Sequence, residues 1–428
     1  MNTSIPDNQL SSRSSRGNDD PLFSGRRHYP ELDGLRALAI IAVIGLHTGA
    51  YLTPDELAAV GPVGRAIHQL FTHGAWGVDL FFVLSGYLIT GILLSSRGQK
   101  HYFRNFYARR TLRIFPLYYG TLLAVLVVLP HVLGRVPALI SEAYHQQAWL
   151  WTYTANIEGA MRGGGPLGNF LHFWTLAIEE QFYLVWPLVI FLTPPRWLLR
   201  TTIVGILAVN LARLLFIAMQ YSPSRGWDGF AVYNWLSSFT LFRADSLLIG
   251  GVLAVLHTDG ALKAWRRVFT GGFILVSGAI LAVLFVLPHN IHGLPLAVVG
   301  HVFLAPLLFG CAVGYVLICQ NNSGLIRILS LRPLRAVGKY SYAMYVFHYI
   351  YLPLQEHWAP YSLFKSLLHS ALFALVIYYS FAVVVAFIVA FISYHLYEKH
   401  FLKLKKYFPE KVVAPAASVV LQSSVIES

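Results

Sequence analysis

YPELDGLRALAIIAVIGLHTGAY, residues Tyr29 to Tyr51, has the length of a membrane helix, for which about 20 apolar residues suffice. Two of its side chains do not suit a plain anchor: Arg36 near the start and His47 deep inside. The eleven steps between them, at about 100° each, return to within about 20° of the starting direction. Both groups therefore share one face, roughly 16 Å apart along the axis. One is an anion-binding cation at a membrane surface; the other is an imidazole inside the bilayer.

The rest of the chain has the same character. Of 428 residues, 56% are hydrophobic and 12% charged, and mean hydropathy is +0.57, far from the roughly 25% charge of a soluble domain. Apolar runs near 32–52, 75–95, 114–133, 172–193, 201–220, 235–256, 268–287, 295–319, 338–358 and 367–397 predict an all-α, polytopic membrane protein of about ten spans. Even parity puts both ends on one side. The Trp/Tyr-rich segment 145–157 is too short to span; it reads as an interfacial, re-entrant or short extra helix, the last of which would break the parity.

Net charge is +13, and its distribution tests the topology. Arg65, Arg135, Arg162, Arg225 and Lys365 lie on the far side, and Arg213 and Arg243 within spans. Every other Lys and Arg falls on the side of the N-terminus. That bias places the N- and C-termini in the cytoplasm and removes most of the reason to invoke nucleic acid. Residues 1–28 read as a disordered cytoplasmic tail, 29–408 as the membrane domain and 409–428 as a short second tail with no further domain expected. Gly163, Gly164 and Gly165 mark a flexible outer loop. Cys311 and Cys319 have no CxxC spacing, so neither a disulfide framework nor a metal site is expected.

Ionisable groups within spans are costly and usually functional. Besides His47 they are Asp79, Glu179 and Glu180, Arg243 and Asp245, and His348. Adjacent residues diverge by about 100°, so Glu179 and Glu180 are not expected to aim at one spot, and Glu180 is favoured as the inward one. Arg243 and Asp245 point to opposite sides of their helix; Arg243 is expected to pair with a carboxylate from another span. Ser85, in LSGY, lacks the strand–turn–helix setting of a nucleophile elbow and reads, with Gly86, as close helix packing. Arg110 and Arg113 share a face where the third span begins. They serve either topology and lipid contact or a phosphate clamp, which Arg36 could join.

Six stretches in order, RALAIIAVIGLH (Arg36–His47), GVDLFFVLSGYLIT, RRTLRIFPLYY, FWTLAIEEQFYLVWP, RADSLLIGG and GKYSYAMYVFH, resemble the bacterial membrane-bound acyltransferase-3 family, over about residues 28–400. Its pattern of a cation, ten residues and a histidine falls on Arg36 and His47. Its Arg-x-x-Arg falls on Arg110 and Arg113. Its acidic pair before Gln-Phe-Tyr falls on Glu179 and Glu180, with Tyr183 closing the motif. The resemblance implies a multi-pass enzyme of the bacterial plasma membrane with no permanently bound cofactor. It would take acetyl-CoA or another acyl-CoA from the cytoplasm and acylate a carbohydrate-type hydroxyl outside or at the membrane. The donor's phosphates would sit on Arg110, Arg113 and Arg36, with the thioester rising toward His47. That imidazole would act as general base or as nucleophile, oriented by Glu180 or Asp79 as in a triad, with Arg243, Asp245 and His348 in support. From the buried groups alone, a proton-coupled transporter or flippase is the rival reading, although paired broken repeats are not evident. A non-catalytic scaffold would leave polar groups on so many helices unexplained.

Overall fold

The computed structural model describes residues 29–409 except 164, 225, 286–289, 292–293, 296–299 and 320–322. The two expected tails, except for Pro409, lie outside the described residues, as do Gly164 of the outer loop, Arg225 and parts of the predicted seventh and eighth spans. Two strand pairs of two residues each, 221–222 with 226–227 and 290–291 with 294–295, are the only sheet among the described residues. The architecture is helical.

Nine helices of the described residues are long and apolar enough to cross a membrane: α1 (Pro30–Gly49), α2 (Trp76–Ser96), α3 (Tyr102–Leu133), α4 (Leu167–Leu192), α5 (Pro195–Gln220), α6 (Thr240–Thr258), α7 (Leu262–Ala282), α8 (Gly300–Ile318) and, after α9, α10 (Ala371–Tyr407). The predicted ninth span is α9 (Arg332–Trp358), 27 residues long. It carries Arg332, Arg335, Lys339, Gln355 and Glu356 and is too polar to qualify on composition. It packs instead along α1 and α10, and its middle, from Ala343 to Val346 and at His348, is buried. A helix shielded by its neighbours need not be apolar all round.

Segment 145–157 resolves into short helices, among them Ala148–Trp151 and Ala155–Arg162. Tyr118 of α3 donates to the Leu150 carbonyl at 2.7 Å and Gln181 of α4 to the Tyr153 carbonyl at 2.9 Å, so this piece caps the bundle and does not cross it. Two outer helices, Pro54–Ala59 and Gly61–Thr72, occupy a connection in which the sequence reading predicts no element. At the other end, Asn105 donates to the Pro409 carbonyl at 2.9 Å and Arg109 to the Phe408 carbonyl at 3.0 Å. The last described turn is thereby tied to the start of α3.

In the centre, α1 lies against α9 and α2, and α2 runs along α6. Small residues allow that last approach, as they do between membrane helices generally. A Cβ on Gly86 would collide with the Leu247 carbonyl, and one on Gly250 with the Val83 carbonyl. The packing role predicted for Gly86 is thus what its position requires.

Candidate active site

A cavity of about 370 Å³ opens between α1, α2, α3, α4 and α9. Its cations are Arg36, Arg109, Arg110, Arg113 and Lys405, from the N-terminal halves of α1 and α3 and the C-terminal end of α10. Its carboxylates are Glu179 and Glu180, so the lining stays net positive even with both ionised. The Arg110 guanidinium stands 5.6 Å from the centre of the Tyr183 ring and 6.0 Å from that of Phe106, and aromatic faces attract such a cation. Arg36 keeps Asp33, one turn earlier, at 3.4 Å. Phe82, Ile89, Ile92 and Ile114 supply apolar wall. A cationic mouth leading to an apolar sleeve suits a long ligand with an anionic head.

Contrary to the sequence expectation, both Glu179 and Glu180 line this cavity. They diverge around α4, but the cavity wraps the helix far enough to meet both. Glu179 neighbours Ser85, Tyr183, Arg110 and Arg36, whereas Glu180 has one buried oxygen without a hydrogen-bond partner. Ser85 also departs from its packing role: it lines the cavity, and its hydroxyl is hydrogen-bonded to that of Tyr183.

His47 does not line the cavity. The outer wall there includes Thr175 and Tyr345, joined by a 2.7 Å hydrogen bond from the Thr175 hydroxyl. Beyond them lies a histidine cluster. His47 Nδ1 is 2.8 Å from His348 Nε2, and His348 Nδ1 is 2.7 Å from the Tyr345 carbonyl. A carbonyl only accepts, so in the neutral rings the His348 proton sits on Nδ1. Its Nε2 then accepts from His47 Nδ1, and the lone pair of His47 is left on Nε2. His172 completes the cluster, its ring 4.9 Å from that of His348 and its Nε2 3.1 Å from the Val346 carbonyl. His348 and His172 are buried; His47 is partly exposed.

The carboxylate expected to orient His47 is elsewhere in both versions of that expectation. Glu180 faces the cavity. Asp79 accepts from Arg243 at 2.8 Å and from Ser246 at 2.9 Å, with His301 at 3.2 Å. The cross-span partner predicted for Arg243 is therefore Asp79. Asp245 is paired separately with Arg213, by contacts of 2.5 and 2.7 Å. These four charges neutralise one another in a buried layer between α2, α5 and α6. They stand apart from the cavity, whose lining includes none of them.

The structure thus gathers Arg36, Arg110, Arg113, Glu179, Glu180 and Tyr183 in one space and His47 with His348 in the next. Sequence reading passed over Arg109, Lys405, Thr175, Tyr345 and His172. Of these, His172 carried a signal, as a histidine at the start of a predicted span. Among the described residues no group of three metal-ligating side chains is placed to hold an ion.

Fold and site together define a multi-pass helical membrane protein with a cationic cavity beside a pair of hydrogen-bonded histidines. The family described as the acyltransferase domain matches residues 29–395, and the chain belongs to it, the family its motifs resemble. It is 31% identical over 341 residues to the peptidoglycan O-acetyltransferase OatA of Listeria monocytogenes, covering 76% of this chain and 49% of that protein. It is 32% identical over 335 residues to the O-acetyltransferase OatA of Staphylococcus aureus, covering 76% and 50%. With the putative peptidoglycan O-acetyltransferase YrhL of Bacillus subtilis it shares 30% identity over 405 residues, covering 87% and 55%. The chain therefore spans about half the length of the curated relatives it matches. No solved structure matches it.

Proposed function

We propose that this chain, in the bacterial plasma membrane, moves an acyl group, first of all acetyl, from acyl-CoA to a hydroxyl of a carbohydrate acceptor. The observation that carries the reading is the His47–His348 hydrogen bond, which leaves a lone pair on His47 Nε2. The relatives' names, which specify O-acetyl transfer and in two cases peptidoglycan, support the group and the acceptor class. The excess of cations over carboxylates in the cavity supports a phosphate-bearing donor.

In this reading the CoA phosphates rest on Arg110 and Arg113, with Arg36, Arg109 and Lys405 around them. The thioester lies along the apolar sleeve toward Tyr345 and Thr175. Displacement of the Tyr345 side chain brings the thioester carbonyl to His47. The Nε2 lone pair either takes the proton of the acceptor hydroxyl as its oxygen attacks, or takes the acyl group first and passes it on. In either route an ester C–O bond forms, the C–S bond breaks, and the sulfur leaves as the thiol of CoA. His348 holds the reactive tautomer.

The test is acetyl transfer from radiolabelled acetyl-CoA by the full chain in nanodiscs, with a soluble oligosaccharide as acceptor. His47→Ala is expected to abolish transfer while the protein still inserts and folds. Full activity in that variant would remove the imidazole from the mechanism.

A further inference from the structure

His47 has a second side, facing away from the cavity toward the outer end of the bundle. Tyr349 packs on its ring, with centroids 4.3 Å apart. Tyr51, in the turn that ends α1, neighbours Tyr349 and Glu356. The Tyr378 hydroxyl holds Glu356 by a 2.7 Å hydrogen bond. Tyr51, Tyr349 and Glu356 are all partly exposed, as His47 is, and Tyr349 links the other two to the imidazole through its ring contact.

The neighbouring amide has no partner at all. Gln355 is only 6% exposed, yet both polar atoms of its side chain lack a hydrogen bond. Leaving a buried amide unpaired is unfavourable, which points to a group that belongs there. Seven residues separate Gln355 from His348, so both occupy one face of α9, with Gln355 about 10 Å further out. That is the face which meets His47.

We propose that Tyr51, Tyr349, Gln355 and Glu356 form the acceptor subsite, and that it takes a pyranose ring. This rests on the acyl-transfer reading of His47. A pyranose has an apolar face that lies on aromatic rings. Its edge carries neighbouring hydroxyls, which the amide and the carboxylate pair with from either side. The subsite opens on the non-cytoplasmic face, opposite the cationic cavity. Donor and acceptor thus reach His47 from opposite sides of the membrane.

Binding without turnover separates this subsite from the transfer reaction. The probes are chitotetraose and cellotetraose, measured by saturation-transfer NMR on the full chain in nanodiscs. CoA binding and the melting midpoint are followed on the same preparations. The wild type is expected to bind at least one tetrasaccharide. Gln355→Leu and Tyr349→Leu are expected to weaken that binding about tenfold, with CoA affinity and melting midpoint unchanged. Absence of binding to both sugars in the wild type would overturn the proposal. So would wild-type sugar affinity in the two variants, or a parallel loss for sugar and CoA. Sugar binding that depends on Gln355 in a protein that binds no CoA would uphold the subsite and overturn the donor assignment.

Discussion

His47 on α1 and His348 on α9 are joined ring to ring at 2.8 Å, and the second ring is anchored in turn on the carbonyl of Tyr345. A histidine thus does for His47 what a carboxylate does in a triad: it fixes which nitrogen carries the proton. Unlike a carboxylate, it brings no charge into the bilayer, where charge is costly.

That arrangement sets the first prediction. His348→Ala frees the His47 ring to take the wrong tautomer, so kcat is expected to fall by about 10²-fold or more, with the KM for acetyl-CoA little changed. His348→Gln, whose carbonyl oxygen can accept from His47 Nδ1, is expected to recover part of the loss. Steady-state kinetics of the two variants checks this; equal loss in both would reduce His348 to a packing residue.

The cavity's cations set the second. Arg110→Ala and Arg113→Ala are each expected to raise the KM for acetyl-CoA by about 10- to 100-fold, the scale of a lost hydrogen bond to a charged group. With acetyl-pantetheine, which has no phosphates, the same variants are expected to match the wild type. An equal defect with both donors would count against phosphate binding.

The wall between cavity and imidazole sets the third. Tyr345 separates the two spaces and accepts the Thr175 hydrogen bond. Tyr345→Ala opens the passage and admits water to the thioester. Acceptor-independent hydrolysis of acetyl-CoA is expected to rise several-fold relative to transfer, read as free CoA released without acetylated sugar.

The charged layer sets the fourth. Arg213 and Asp245 are almost fully buried, and removing one partner of such a pair costs about 3–5 kcal/mol. Asp245→Ala is expected to lower the melting midpoint in nanodiscs sharply, whereas Arg213→Met with Asp245→Leu restores most of it. A single variant as stable as the wild type would show that the pair carries no structural weight.

The same residues show how far sequence reaches. Hydropathy determines the spans, because the bilayer admits few alternatives, and the side on which the cations fall predicts their direction. Helical periodicity sends Arg243 and Asp245 opposite ways, and the structure keeps that relation by giving them separate partners, Asp79 and Arg213. These are properties of one helix at a time.

Which helix lies beside which depends on packing that no single segment encodes. The Gly86–Leu247 approach lets α2 and α6 close up and brings Asp79 to Arg243 instead of to His47. The burial of α9 brings His348 to the place where a carboxylate was expected. The layer of Tyr345 and Thr175 divides the cationic cavity from the imidazole. Sequence alone determined a membrane bundle carrying two cationic motifs, an acidic pair and an intramembrane histidine. Only tertiary structure decided which polar groups meet, because the partners that His47, Arg243 and Asp245 find lie on other helices.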